Sequence, residues 1–123
     1  MRLRLWAAVP LVLSSMLLSD SVAVASQPSA LMVRLSEIEI APQDLAAYQA
    51  ILKEEAAASV RLEPGVIAIF PMYQQAHPTQ VRILEVYANR AAYEAHVQSA
   101  HFLRYKTATL SMPISRHARA MRT

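Results

Sequence analysis

Apolar residues at regular intervals predict a strand that begins near residue 31 and a long helix that follows it. Residues 31–40 are rich in Leu, Val and Ile, which is typical of a strand. From Pro42, which suits the first turn of a helix, to about Leu62, apolar positions recur every three or four residues. The charged run of Lys53, Glu54 and Glu55 is expected to lie outside the buried face. That face is predicted to consist of Leu45, Tyr48, Leu52, Ala56 and Ser59.

Two further strands are predicted to form an antiparallel hairpin. Residues 66–75 and 80–88 are both rich in apolar side chains, and His77, Pro78 and Thr79 between them have the composition of a turn. Strict alternation divides the side chains of the second strand between two faces. One face is predicted to hold Val66, Ala68, Phe70 and Met72, and the other Ile67, Ile69 and Tyr73.

Two short helices and a last strand complete the predicted order. Asn89 and Ser99 are suitable N-caps for helices over residues 90–98 and 99–108. Pro113 ends the second of these helices, and residues 114–123 form either a basic tail or a last strand. The resulting order, β-α-β-β-α-β, predicts an α+β protein with the ferredoxin-like arrangement, in which helices cover one face of an antiparallel sheet.

The second and third strands are apolar on both of their faces. On the third strand, Val81, Ile83 and Tyr87 lie on one side, and Leu84 and Val86 lie on the other. One layer of helices covers only one face of a sheet, so a second copy of the chain packed on the other face would bury the remainder. We therefore expect a homodimer; the alternative is that the true strands are shorter than predicted.

The N-terminal segment has the features of a secretory signal. Residues 1–6 carry two arginines and no acid, and residues 7–18 are largely apolar. Ala23, Val24 and Ala25 then provide a small-x-small cleavage site, and the apolar run is shorter than the roughly 20 residues of a membrane span. The predicted organisation is a signal peptide over 1–25, a leader over 26–30 and one domain over 31–113. The mature protein is expected to be exported to the periplasm or secreted, without a stable membrane anchor; an uncleaved interfacial anchor is the alternative.

Composition excludes several classes of function. The only glycine is Gly65, so neither a P-loop nor a dinucleotide-binding glycine motif can be present. No cysteine is present, which excludes disulfides, thiolate metal sites and a cysteine nucleophile. The net charge is +3, but residues 31–113 hold seven basic and eight acidic side chains. The predicted domain is therefore nearly neutral, and nucleic acid is not an expected partner.

His96 and His101 are the histidines that suggest chemistry. They are five residues apart, about 140° around a helix, so they share a face only if the helix breaks at Ser99. No Asp or Glu at a helical spacing completes a metal triad with them, so no metal site is predicted. An imidazole can accept a phenolic proton at neutral pH, which makes either residue a candidate general base. The alternative is a structural hydrogen bond to the backbone.

Glu85 lies on a strand between Ile83 and Tyr87, where an apolar residue is expected. A buried carboxylate needs a partner. Glu85 is therefore expected either to orient a histidine or to pair with an arginine such as Arg82 or Arg104.

Residues 83–106 contain a motif that resembles the antibiotic biosynthesis monooxygenase (ABM) family, and in particular its small quinol-oxidising members. The resemblance covers about residues 31–113 and implies a dimeric α+β barrel and oxygen chemistry without a cofactor. The matching positions are Glu85, Tyr87, His96, Ser99, His101 and Phe102.

The expected function is therefore a cofactor-independent monooxygenase that oxidises a quinol or phenol with dioxygen. His96 is the first candidate for the base, His101 is the second, and Glu85 orients a partner or holds charge. An aromatic substrate is expected to contact Tyr48, Tyr87 and Phe102. The alternative is an exported dimer that binds an aromatic ligand and has no catalytic activity. The two hypotheses differ in whether a histidine reaches a cavity beside Glu85.

Overall fold

The structure, a computed structural model, describes residues 30–122. The predicted signal segment, most of the predicted leader and the last residue lie outside the described part of the chain. A short 3-10 turn, Pro42–Asp44, precedes the first helix. The elements are β1 (Met32–Ile40), α1 (Leu45–Leu62), β2 (Val66–Gln74), β3 (His77–Tyr87), α2 (Arg90–His96), α3 (Ala100–Ala108) and β4 (Pro113–Met121).

The four strands form one antiparallel sheet in the order β2-β3-β1-β4. This is the predicted ferredoxin-like βαββαβ fold, which is confirmed. The sequence left open whether residues 114–123 form a tail or a strand. The structure places most of this segment in β4, which pairs along β1 at the edge of the sheet.

The helices cover one face of the sheet, which we call the inner face. The core lies between this face and α1, and Ile40, Tyr48 and Tyr87 within it are completely buried. Leu52 and Ala56 of the predicted buried face of α1 also belong to this core. Burial of these side chains is the main force that holds the helices on the sheet.

The strict alternation predicted for β2 is wrong. A bulge between Val66 and Ala68 shifts the pairing with β3 by one residue. Val66 and Ile69 are therefore both buried against the helices, although the prediction placed them on opposite faces. Phe70 lies on the other side of the sheet and is 61% exposed.

The hairpin turn lies at Gln75 and Ala76 and not at the predicted His77, Pro78 and Thr79. Those three residues begin β3, and Gln74 pairs with His77 across the turn. A two-residue connection is the commonest way to join antiparallel strands, and here it allows the strands to pair further than the composition indicated.

Both predicted N-caps are confirmed. The side chain of Asn89 accepts a hydrogen bond from Ala92 N at 2.8 Å, and that of Ser99 accepts one from Phe102 N at 3.3 Å. The second cap follows α2 almost directly, because α2 ends at His96 and not at Gln98. The chain therefore changes direction between the two histidines.

The other face of the sheet, which we call the outer face, carries two apolar rows and one charged row. The strand register places Ala68, Val86, Val33 and Met121 in one row and Phe70, Leu84 and Leu35 in the next, which ends at Arg119 on β4. Glu37 lies in the charged row, where it pairs with Arg82 at 3.1 Å, and it also pairs with Arg119 of the neighbouring row at 3.1 Å. No helix among residues 30–122 is long and apolar enough to cross a membrane.

Candidate functional site

A cavity of about 120 Å³ lies between the inner face of the sheet and the three helices, and we call it the sheet–helix cavity. Its apolar wall includes Leu52, Ile69, Ile83 and Phe102. An apolar cavity with a few polar groups is the usual form of a small-molecule site. The polar and charged residues on its lining are Arg34, Ser36, Glu55, Glu85, His96, Tyr105, Lys106 and Arg116.

Beside this cavity lies a cluster of two carboxylates and two imidazoles, Glu55, Glu63, His96 and His101, of which Glu55 and His96 belong to the cavity lining. Glu63 Oε1 is 3.0 Å from His96 Nδ1 and also hydrogen-bonds His101 Nε2. Glu55 Oε1 is 3.6 Å from the other ring nitrogen of His96, Nε2. His96 therefore has a carboxylate on each side of its ring.

Glu55 lies on the buried face of α1 and is only 5% exposed, so the prediction that it falls outside this face is wrong. It is three residues after Leu52 and four before Ser59, which is the spacing of one helix face. That spacing is a signal in the sequence, but the charged neighbours Lys53 and Glu54 obscured it. Ser59 Oγ donates a hydrogen bond to Glu55 Oε1 at 2.7 Å, which satisfies the buried carboxyl group.

The spacing of His96 and His101 requires a helix break at Ser99 if the two rings are to meet, and the structure has a break between them. His96 is the last residue of α2, and His101 lies in the first turn of α3 after the Ser99 cap. Both rings are buried and their centroids are 6.3 Å apart. Because of this break, two histidines whose spacing would place them on different sides of one helix both hydrogen-bond the Glu63 carboxylate.

The two carboxylates of the cluster differ in their electrostatic environment. Burial raises the pKa of Glu55 above its ordinary value, and the hydrogen bond from Ser59 and the nearby imidazoles only partly oppose this effect. Burial acts in the same direction on Glu63, but the hydrogen bonds from His96 and His101 outweigh it and lower the pKa of that carboxyl group. Glu63 is thus the carboxyl group of the pair that ionises more readily.

The ionised Glu63 determines which ring nitrogens carry protons. A carboxylate accepts hydrogen bonds and cannot donate them. His96 Nδ1–H and His101 Nε2–H are therefore the donors to Glu63, so Nε2 is the ring nitrogen through which His96 could act as a base. Nε2 is on the side of the ring next to Glu55, and both residues line the cavity.

Glu85 lies in the cavity wall but does not hydrogen-bond either histidine. Ser36 Oγ donates to its Oε1 at 2.9 Å, Tyr87 Oη donates to its Oε2 at 2.8 Å, and Arg34 Nη1 is 3.6 Å from Oε2. The expected pairing with Arg82 or Arg104 is therefore wrong. The register of the sheet places Arg34 directly opposite Glu85 on the same face. Arg82 lies on the outer face, where it pairs with Glu37.

The three predicted aromatic contacts occupy different positions. Phe102 lines the sheet–helix cavity and packs against the ring of His96 with centroids 4.9 Å apart. Tyr87 is completely buried and supports Glu85 from behind. Tyr48 is also completely buried, and its hydroxyl hydrogen-bonds that of Tyr105 at 2.7 Å. Tyr105, which the sequence did not single out, is the tyrosine of this pair that reaches the lining.

The cluster also brings together groups that can coordinate a metal ion. One ligand atom from each of Glu55, His96 and His101 lies within 4.8 Å of the others. The prediction excluded a metal because it considered only acids near the histidines in sequence, whereas Glu55 comes from another helix. Such a set suits a divalent cation such as Zn²⁺. In the present arrangement each histidine has one ring nitrogen bonded to Glu63, which leaves one nitrogen per ring for a cation.

The fold has clear counterparts among solved structures. A Bacteroides thetaiotaomicron protein provisionally named an antibiotic biosynthesis monooxygenase is 43% identical with a TM-score of 0.74, and the match covers 76% of this chain and 89% of that one. A Pseudomonas aeruginosa protein is 21% identical with a TM-score of 0.72, covering 79% and 97%. A Caulobacter crescentus protein with a similar provisional name is 15% identical with a TM-score of 0.73, covering 78% and 92%. The last two share the fold alone.

Among curated proteins, none matches the chain. The family described as antibiotic biosynthesis monooxygenase (ABM) matches residues 32–108, which is more than half of the chain. The family and the name of the Bacteroides thetaiotaomicron neighbour support a general monooxygenase role. On this match and the shared fold, the chain belongs to the antibiotic biosynthesis monooxygenase family.

Proposed function

We propose that the protein is a monooxygenase that oxidises a quinol or phenol with dioxygen and needs no cofactor, like the quinol-oxidising members of its family. The observation that carries the proposal is the position of His96. It lines the sheet–helix cavity, and the hydrogen bond between Glu63 and its Nδ1 leaves Nε2 as the nitrogen that would accept a proton. This is the arrangement of a general base held in one tautomer by a carboxylate.

The proposed reaction begins with proton transfer from a substrate hydroxyl to His96 Nε2. The resulting phenolate is electron-rich enough to reduce dioxygen directly. For a 1,4-hydroquinone, one oxygen atom enters the ring and the other leaves as water, so that the products are a hydroxyquinone and water. The quinol loses four electrons and dioxygen gains four, so no external reductant is needed.

Other residues of the cavity support this step. Glu63 stabilises the imidazolium that forms when His96 takes the proton, because it is ionised and accepts from Nδ1. Glu63 would therefore orient the imidazole, which is one of the two roles that the sequence suggested for Glu85. Glu85 instead forms an ion pair with Arg34 at the cavity wall. Glu55 lies on the Nε2 side of the ring, with its Oε1 3.6 Å from Nε2. A small movement of either side chain would allow a proton to pass between them.

Oxygen uptake by metal-stripped protein with a panel of hydroquinones and phenols tests the proposal. A general base is typically worth about 10²–10⁴-fold in rate, so His96→Ala is expected to reduce kcat at least tenfold. His101→Ala is expected to have a smaller effect, because Glu63 and His96 remain paired without it. His77→Ala is the matched control, since this exposed histidine in β3 lies outside the cavity lining.

Two outcomes would contradict the proposal. One is oxygen uptake no faster than the uncatalysed rate for every substrate of the panel. The other is a His96→Ala variant as active as the parent. The first outcome would favour the alternative, a dimer that binds an aromatic ligand without turning it over. The second would show that a group other than His96 is the base.

A further inference from the structure

The charges on the lining of the sheet–helix cavity do not balance. Three cations, Arg34, Lys106 and Arg116, contribute to this lining. Arg34 is neutralised by Glu85 and also lies over the ring of Tyr93, 4.5 Å from its centroid. Glu55, the other acidic residue of the lining, is buried and biased towards its neutral form. Lys106 and Arg116 therefore remain as an excess of positive charge.

Neither of these two cations has an acidic partner. Among residues 30–122, no carboxylate oxygen lies within 4.0 Å of the side-chain nitrogens of Lys106 or Arg116. The two nevertheless line the same cavity, and the charge of Arg116 adds to the effect of burial in lowering the pKa of Lys106. Two like charges at one cavity without a counter-ion attract an anion.

The position of this pair relative to the base follows from the fold. Lys106 lies on α3, one residue after Tyr105, and Arg116 lies on β4 opposite Ile38 of the inner face. Arg116 is exposed and Lys106 is half-buried, whereas His96 is only 3% exposed. The cations thus lie on the solvent side of the cavity, and the imidazole lies on its inner side.

We propose that the substrate is a single-ring phenol or quinol that bears a carboxylate, and that Lys106 and Arg116 bind this carboxylate while the ring enters the cavity towards His96. This inference rests on the proposed function and names its substrate class. The cavity limits the substrate to one ring: it measures about 120 Å³, which is less than the volume of about 150 Å³ of a protein cavity that holds benzene.

Unreactive probes test the anion site without any oxygen chemistry. Benzoate and benzamide have nearly the same shape and differ in charge, and neither has a hydroxyl group that the enzyme could oxidise. We expect an NMR titration of the full protein at pH 7 and low salt to give a Kd for benzoate at least about tenfold below that for benzamide. Lys106→Gln and Arg116→Gln are each expected to reduce this ratio to less than about threefold.

Lys53→Gln is the matched control, because Lys53 is an exposed lysine of α1 outside this lining and its loss changes the net charge equally. It is expected to keep the parent ratio. The inference is overturned if benzamide binds as tightly as benzoate, if neither binds, or if Lys53→Gln lowers the ratio as much as Lys106→Gln. Oxygen uptake with a panel of hydroquinones that includes carboxylated ones is a separate measurement, so its failure would count against the monooxygenase and not against the anion site.

Discussion

The Glu63 carboxylate connects three helices through two hydrogen bonds. It follows the last residue of α1 and accepts from His96 at the end of α2 and from His101 at the start of α3. Its side chain is only 16% exposed, so water replaces these partners poorly if they are lost. The same residue therefore serves stability and the tautomer of the proposed base.

Glu63→Gln is expected to lower the free energy of unfolding at pH 7 by about 1–3 kcal/mol, the usual contribution of hydrogen bonds to a charged group. The pKa of Glu63 is lower in the folded protein than its ordinary value of 4.5. Its carboxylate therefore stabilises the fold above pH 4.5, and the contribution is lost as pH falls through the folded pKa. Urea unfolding between pH 3 and pH 7, roughly the range over which carboxylates titrate, should show this loss in the parent.

Glu54→Gln is the matched control for this experiment, because Glu54 is an exposed residue of the same helix. It should leave both the stability at neutral pH and the acid dependence almost unchanged. Equal effects of the two variants would show that Glu63 contributes no more than a surface carboxylate.

At the level of the elements, the loop between α1 and β2 packs closely against α2. Gly65 lies in this loop, and its carbonyl accepts a hydrogen bond from Ala88 N at 2.9 Å. A Cβ atom placed on Gly65 would lie 2.5 Å from Cβ of Ala92, which is far inside contact distance. The only glycine of the chain is thus required by a close approach of two elements that hold Glu63 and His96 together.

Gly65→Ala is expected to destabilise the protein by about 1–3 kcal/mol, the usual cost of overpacking a filled site. Ala92→Gly removes the methyl group that would clash, but costs up to about 1 kcal/mol in helix propensity. The double variant is expected to be more stable than the sum of the two single effects predicts, which a double-mutant cycle of chemical unfolding would measure. Strict additivity of the two changes would mean that the methyl groups do not meet.

For the whole molecule, the outer face of the sheet is a surface without an assigned function. Its apolar rows include Phe70 on the edge strand β2, and no helix of residues 30–122 covers this face. Arg119, at the end of one of these rows, and Arg82, in the next row, both pair with Glu37. An apolar area bounded by neutralised charges is typical of a surface that packs on a second copy.

We propose that the protein is a homodimer through this face. Sedimentation at micromolar concentration is expected to give about twice the monomer mass, and Phe70→Glu is expected to give a folded monomer, because it places a charge within the apolar rows. Leu110→Glu is the matched control, since Leu110 is 75% exposed in the turn after α3. A monomeric parent, or a dimer that survives Phe70→Glu, would contradict this arrangement.

We also propose that the protein is exported, on the basis of the arginines and the apolar run in its first residues. In a bacterial host the mature product is expected to lack about 25 residues and to begin near Ser26. Mass spectrometry of the periplasmic and secreted fractions measures this directly. A mature product that retains residues 1–18 would contradict the proposal.

The order of the elements could be predicted from the sequence, because the period of the apolar residues differs between strand and helix and the caps at Asn89 and Ser99 are local. The sequence also singled out His96 and His101, whose approach depends on the local helix break at Ser99. The alternation within β2 could not be obtained in this way, since the bulge at Val66 arises from pairing with β3. A bulge depends on how two strands pair, so the alternation of side chains along one strand does not reveal it.

Which carboxylates contact the histidines depends on the packing of the helices and could not be predicted from the sequence. Glu63 is 33 residues from His96 in sequence, and Glu55 is on a different helix, so no spacing rule joins them. The partner of Glu85 was likewise decided by the register that places Arg34 opposite it. The chemistry of a side chain limits the hydrogen bonds and proton transfers that it can make. The packing of elements that are distant in sequence determines which side chains are close enough to make them.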